Sequence, residues 1–272
     1  MKYDYRYITE VIPQFENTFV IGRTVMNRML HCISIGSGER TAVFAAAFHG
    51  LEYLTAPSLI SFAREFTDMK EYHDKIRIFI IPMMNPDGVD IALNGINPKS
   101  ILHRRIIDSM GIIDFSRTWQ SNAMGVDINH NFDADWHRGE DNIAPSKYGG
   151  KYPVSELETY ALVKFLKRIQ PDLFIAFHSQ GKEIYYDFNC MENKRAKETA
   201  EALAAGCGYK VAKPTGTAAY GGAKDWYIKE FHKPAFTVEL GQGKNPLPRS
   251  QLKDMKRDTS SICTAAVEAV IN

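Results

Sequence analysis

The chain has 272 residues, with 33 Lys plus Arg against 32 Asp plus Glu and a formal charge of +1 at pH 7. That balance excludes a polybasic nucleic-acid surface as the dominant feature, and it excludes an acidic tail. Hydrophobic residues make up 44%, enough to bury a core against chain entropy, which excludes disorder. The longest apolar runs, 41–48 and 76–84, fall well short of the roughly 20 residues that span a bilayer. The opening residues, Met1-Lys2-Tyr3-Asp4-Tyr5-Arg6-Tyr7, carry charge where a secretory leader needs an apolar run. Cys32, Cys190, Cys207 and Cys263 lie far apart without a Cys-x-x-Cys pair, so each is expected as a buried or partly buried free thiol. These features predict a soluble, cytoplasmic protein with no nucleic-acid or membrane partner, and they leave its oligomeric state open.

In chain order, residues 41–48 read as a buried strand, and 56–70 as a helix with Leu59, Ile60, Phe62, Ala63 and Phe66 on one face. Residues 76–81 form a second strand, closed by Pro82. Residues 85–152 are rich in Asn, Asp, Gly and Arg and read as loops, with Asn85-Pro-Asp-Gly88 a tight turn of shaping role only. A helix follows over 155–169. Its apolar face is Leu157, Ala161, Leu162, Phe165 and Leu166, with Ser155 as cap and Glu158 completing a capping box. Residues 172–177 read as a third strand, 194–206 as a helix, 236–240 as a fourth strand and 252–271 as the last helix. Strands buried on both faces and separated by helices define an α/β class, with a mixed, mainly parallel twisted sheet sandwiched between helices. No repeat or linker divides the sequence, so one domain over 1–272 is expected. Loops in such folds gather at the carboxyl ends of strands, which directs the search for chemistry to 85–152.

Two of the eight histidines stand out by position. Ala46-Ala-Phe-His49-Gly and Ile175-Ala-Phe-His178-Ser are near copies, each an apolar strand running into Phe-His and a small residue. Both imidazoles then emerge at one sheet edge. Glu52 follows His49 at His-x-x-Glu spacing. A second instance, His137 and Glu140, sits in a polar run after no strand and reads as a solvated loop. Two imidazoles and one carboxylate leave an open position on a zinc ion, as in a catalytic site. Glu239, inside the apolar run Phe236-Thr-Val-Glu239-Leu, is costly to bury alone. It reads either as half of a buried ion pair or as a carboxylate set beside the metal.

These pieces resemble the zinc carboxypeptidase (M14) superfamily. The matching segments run in the family's order: His49-Gly-Leu-Glu52, Asn85-Pro-Asp-Gly88, Gly125-Val-Asp-Ile-Asn-His-Asn-Phe132, His178-Ser179, Gly221-Gly222 with Asp225-Trp226, and Thr237-Val-Glu239-Leu. His178-Ser-Gln-Gly-Lys-Glu-Ile-Tyr-Tyr and Gly221-Gly-Ala-Lys-Asp-Trp are most similar to the bacterial γ-D-glutamyl-meso-diaminopimelate peptidases, which cut cell-wall peptides. The resemblance implies one zinc held by His49, Glu52 and His178, with Glu239 as general base and then proton donor.

The sequence departs from the family where three arginines are typical. Their places hold Leu51, Gln120 and His130, which argues against an ordinary carboxypeptidase, because a free C-terminal carboxylate is best clamped by a guanidinium. Asn129 and His130 are expected to hold a carboxylate more weakly, and Arg117 to stand in as the oxyanion stabiliser unless it is a plain surface residue. The family tyrosine before Gly-Gly is Thr217 here, with Tyr220 a substitute. Lys224 lies where the side-chain pocket is read and suits a side chain bearing a carboxylate, unless it points to solvent. The expected substrate is a murein tripeptide or tetrapeptide. A glutamate-type carboxypeptidase, an N-acyl amino-acid deacylase and a non-catalytic murein-peptide binder are the competing readings.

Overall fold

The structure, a computed structural model, describes residues 2–111, 114–191 and 194–272, with the side chains of Lys194, Thr217 and Ala218 outside the description. Eight strands form one sheet: β1 (Thr18–Arg23), β2 (Met29–Ile35), β3 (Arg40–Ala46), β4 (Ile76–Ile81), β5 (Leu173–His178), β6 (Glu183–Tyr185), β7 (Lys210–Ala212) and β8 (Ala235–Glu239). Their order is β1-β2-β4-β3-β5-β8-β6-β7. The centre, β4-β3-β5-β8, is parallel throughout. Antiparallel pairing appears toward the edges, where β2 meets β1 and β4, and β6 meets β8. This is the mixed, mostly parallel sheet that the sequence pattern predicts.

Side-chain alternation explains why the central strands are mostly apolar. Ala42, Phe44 and Ala46 of β3 and Leu173, Ile175 and Phe177 of β5 face one helix layer. Val43, Ala45, Phe174 and Ala176 face the other. A strand covered on both faces has no polar side to offer. The first layer contains α1 (Tyr5–Val11), α2 (Thr55–Asp68), α6 (Lys194–Ala205) and α8 (Leu252–Ile271). The second contains α5 (Leu157–Ile169) and α7 (Ala223–Phe231). Phe62 and Phe66 of α2 are fully buried in the first, where truncating either to alanine costs about 3–5 kcal/mol.

Several expectations need correction. The middle of the chain is not all loop: it holds α3 (Pro86–Asn94) and α4 (Ile101–Met110). Asn85-Pro-Asp-Gly88 is the start of α3 and not a free turn. The Asn85 side chain caps it, accepting from Gly88 N at 2.8 Å, and Pro86 takes the first helical position. The expected capping box on α5 does not form. The cap position is Glu156, and Ser155 Oγ donates to Glu156 Oε1 at 2.8 Å. Glu158 turns inward instead and is buried beside Asn122. Leu157, expected on the apolar face, is exposed. Cys190 is also exposed, unlike the buried Cys32 and Cys263. Among the described residues no helix is long and apolar enough to cross a membrane.

Candidate metal centre

The parallel strands β3, β5 and β8 end at one sheet edge, where Ala46 pairs with Phe177 and His178 with Glu239. Past Ala46 the chain reverses. Ala47 adopts a φ of 52°, and its N–H donates to Thr55 Oγ1 at 3.0 Å. His49 then enters a short 3-10 turn, Gly50–Glu52, which folds Glu52 back toward the sheet edge. Only a glycine fits at position 50, because a Cβ there would lie 2.5 Å from Gly88 O and 2.7 Å from Trp119 O. Asn85 fastens the same region from the other side, its Nδ2 donating to Phe48 O at 3.0 Å and to Gln120 O at 3.1 Å.

Both imidazoles present Nδ1 to the Glu52 carboxylate. His49 Nδ1 lies 2.8 Å from Oε1, and His178 Nδ1 lies 3.0 Å from Oε2. The donor atoms of the three residues lie within 4.8 Å of one another. Zinc bonds of about 2.0–2.2 Å separate tetrahedral donors by roughly 3.4 Å, so the group fits one ion with little adjustment. His178 is held between Phe48, stacked at a centroid distance of 5.1 Å, and His49, tilted at 4.9 Å.

Asp127 completes the arrangement. Its Oδ1 lies 3.1 Å from His49 Nε2 and accepts from Asn129 N at 3.2 Å, while Oδ2 accepts from Lys147 N at 3.0 Å. A carboxylate behind a ligating imidazole fixes the ring and its tautomer, leaving the Nδ1 lone pair for the metal. Burial opposes a charge on His49, but Glu52 and Asp127 outweigh it and hold the imidazole pKa well above its usual value. A cation among these carboxylates replaces that proton. Burial likewise opposes ionisation of Asp127, yet His49 and His130 hold it well below the usual carboxylate range. Glu239 behaves oppositely. Burial and the neighbouring Glu52 push its carboxyl well above that range, against the pull of His49. The sequence reading assigned Asp127 no role; its place at the head of the Asp-x-Asn-x-Asn-Phe run was the available signal.

A hollow of about 120 Å³ opens beside this group. His49, His178 and Glu239 form one wall, and Asn129, His130 and Tyr220 contribute to the rest. Asn129 Oδ1 accepts from Ala223 N at 3.2 Å, which leaves its amide nitrogen to donate. Tyr220 packs edge-on against His137 at 4.7 Å and His130 at 6.2 Å. Tyr185, which the sequence reading did not single out, also lines the hollow, its hydroxyl donating to Glu183 Oε2 at 2.6 Å.

Two expected site residues sit elsewhere. Lys224 neither lines the hollow nor points to solvent. It is 2% exposed, and its Nζ donates to Asp187 O at 2.6 Å and to Asp225 Oδ1. Asp225 is the member of that pair on the hollow wall, and it accepts from Gly222 N at 3.1 Å. Arg117 is exposed and lines a separate cleft with Leu51, Gln120 and Lys244. The structure does not bring it to the hollow.

A parallel sheet ending in a His-Glu-His group defines the class, and sequence comparison gives the family: residues 4–261 match the zinc carboxypeptidase family, M14, to which the chain belongs. It is a zinc metallopeptidase. The chain is 28% identical over 287 residues to gamma-D-glutamyl-L-diamino acid endopeptidase 1 of Lysinibacillus sphaericus, covering 97% of this chain and 72% of that protein. In fold it is similar to thrombin activatable fibrinolysis inhibitor, with a TM-score of 0.77, 18% identity and coverage of 98% of this chain and 72% of that one. It is also similar to murein-tripeptide amidase MpaA from Escherichia coli O157, with a TM-score of 0.59, 20% identity and coverage of 92% of each chain.

Proposed function

We propose that the protein hydrolyses the γ-D-glutamyl–meso-diaminopimelate amide of cell-wall tripeptides or tetrapeptides, or the corresponding bond to another diamino acid. The observation that carries this reading is the composition of the hollow: Asn129 and His130 stand beside the His-Glu-His group, and among the described residues no arginine lines it. A hollow without a guanidinium is poorly suited to clamping the C-terminal carboxylate of an ordinary peptide. The named activity of the Lysinibacillus relative supports the same substrate class.

His49, Glu52 and His178 hold the zinc ion. When bound, zinc supplies the positive charge that polarises the scissile carbonyl and lowers the pKa of a water to near 7. Glu239 takes the proton of the attacking water and passes it to the leaving amine. Glu239 shares the hollow with His49 and His178 and is the register partner of His178, which suits it to both halves of that task. Asn129 and His130 orient a carboxylate of the departing diamino acid, and Tyr220 covers the rim. Lys224 acts from behind the wall, offsetting the charge of Asp225 so that the hollow accepts an anionic side chain. The free thiols suit a reducing, cytoplasmic compartment.

The test is a substrate panel for the zinc-loaded protein: L-Ala-γ-D-Glu-meso-diaminopimelate, α-peptides ending in glutamate, and N-acyl amino acids. The expected result is a kcat/KM for the γ-glutamyl peptide at least about tenfold above the others, a difference of about 1.4 kcal/mol. Equal or better cleavage of the α-peptides or acyl amino acids overturns the assignment.

A further inference from the structure

The hollow receives one side of the scissile bond, and a second cavity lies across the metal turn. It is a cleft of about 670 Å³ with Leu51 in its wall, the residue between His49 and Glu52. Two anchored loops bring cations to it. Arg117 stands on the loop after α4, which is fixed beside the metal turn because Gln120 O accepts from Gly50 N at 3.0 Å. Lys244 stands on the loop after β8, tied to the end of β5. Ser179 Oγ donates to Asn245 Oδ1 at 2.9 Å, and Gly243 N donates to Gln180 Oε1 at 3.2 Å. Glu140 is the acid in the lining, so the two cations exceed it by one charge. Neither Arg117 nor Lys244 forms an ion pair among the described residues.

We infer that this cleft is an acyl-side subsite in which Arg117 and Lys244 bind a free carboxylate. The inference deepens the reading above and rests on it. In a γ-linked glutamate the side-chain carboxyl forms the amide, so the α-carboxylate stays ionised a few bonds from the scissile carbonyl. A peptide with no acidic residue before the scissile bond has no carboxylate there. Two cations from these loops therefore favour γ-glutamyl substrates over peptides with no acid before the scissile bond. Arg117 then recognises the substrate and does not stabilise an oxyanion.

The experiment compares L-Ala-γ-D-Glu-meso-diaminopimelate with the same peptide carrying an α-carboxamide on the glutamate. The zinc-loaded protein is expected to favour the free carboxylate by about tenfold in kcat/KM, less so at high salt. The variant Arg117→Gln with Lys244→Gln is expected to lose most of that preference while cleaving the carboxamide peptide about as well as the parent. No preference in the parent, or an undiminished one in the variant, overturns the inference. If neither peptide is cleaved, the proposed activity fails, and calorimetry then decides the subsite. L-Ala-γ-D-Glu is expected to bind the zinc-loaded protein more tightly than its α-carboxamide, and equal affinities overturn the inference.

Discussion

His178 and Glu239 are register partners at the carboxyl ends of adjacent parallel strands, β5 and β8. Paired residues of parallel strands direct their side chains to the same side of the sheet. The backbone ladder therefore sets the separation between a proposed metal ligand and the proposed base. His49 and Glu52 reach the same place by another route, the glycine-dependent turn beyond β3.

Glu239→Gln keeps the side chain's shape and removes its basicity. Hydrolysis is expected to fall by roughly 10²–10⁴-fold, with zinc content by atomic absorption unchanged. Full activity in this variant would assign the proton transfer to another group.

Asp127→Asn removes the charge behind His49 while keeping an acceptor for its Nε2–H. Zinc affinity, measured by competition with a chelator at pH 7, is expected to weaken by about 10–100-fold. An unchanged affinity would mean that the carboxylate is only a loop anchor through Lys147 N and Asn129 N.

Lys224→Met strands the Asp225 carboxylate in a buried setting and is expected to cost about 3–5 kcal/mol. Adding Asp225→Asn is expected to restore most of that stability in urea unfolding, because Asn also accepts from Gly222 N. If the double variant is no more stable than the single one, the charge pair is not the source of the loss.

Burial, with help from Asp87 and Glu156, pushes the Glu158 carboxyl up to about 8. A raised carboxyl pKa in the fold means that the unfolded chain ionises first. The penalty from this group is therefore absent below about pH 4.5, grows as pH rises toward 8, and then levels off. The full shift corresponds to roughly 5 kcal/mol. Glu158→Gln is expected to raise the Tm by several degrees at pH 8.5 and by much less at pH 5. An equal shift at both pH values would refute this account.

The central strands were legible because burial on both faces leaves mostly apolar runs, as in Ile76–Ile81, interrupted only at the exposed Arg77; the structure reproduces the predicted bounds of that strand. The β1 and β2 edge was not, since β1 is largely exposed on its outer face and carries no such run. Helices α3 and α4 were hidden by polar composition, although Asn85-Pro86 and Ser100 mark their caps. At the candidate metal centre, the strand-delivered histidines were visible as repeated Phe-His endings. Lys224 was misplaced because sequence gives the position of a cation but not its partner, and here Asp225 lies one residue away. Tyr185 was missed because β6 has three residues, too few for a periodic signal.

The central claim, that one zinc in this group drives cleavage after γ-D-glutamate, is tested most directly by titrating metal-free protein with zinc. Release of diaminopimelate from L-Ala-γ-D-Glu-meso-diaminopimelate is the readout. The account predicts that release rises linearly, reaches its plateau at one zinc per chain and vanishes on chelation. Protein that holds one zinc per chain and releases no diaminopimelate would contradict it.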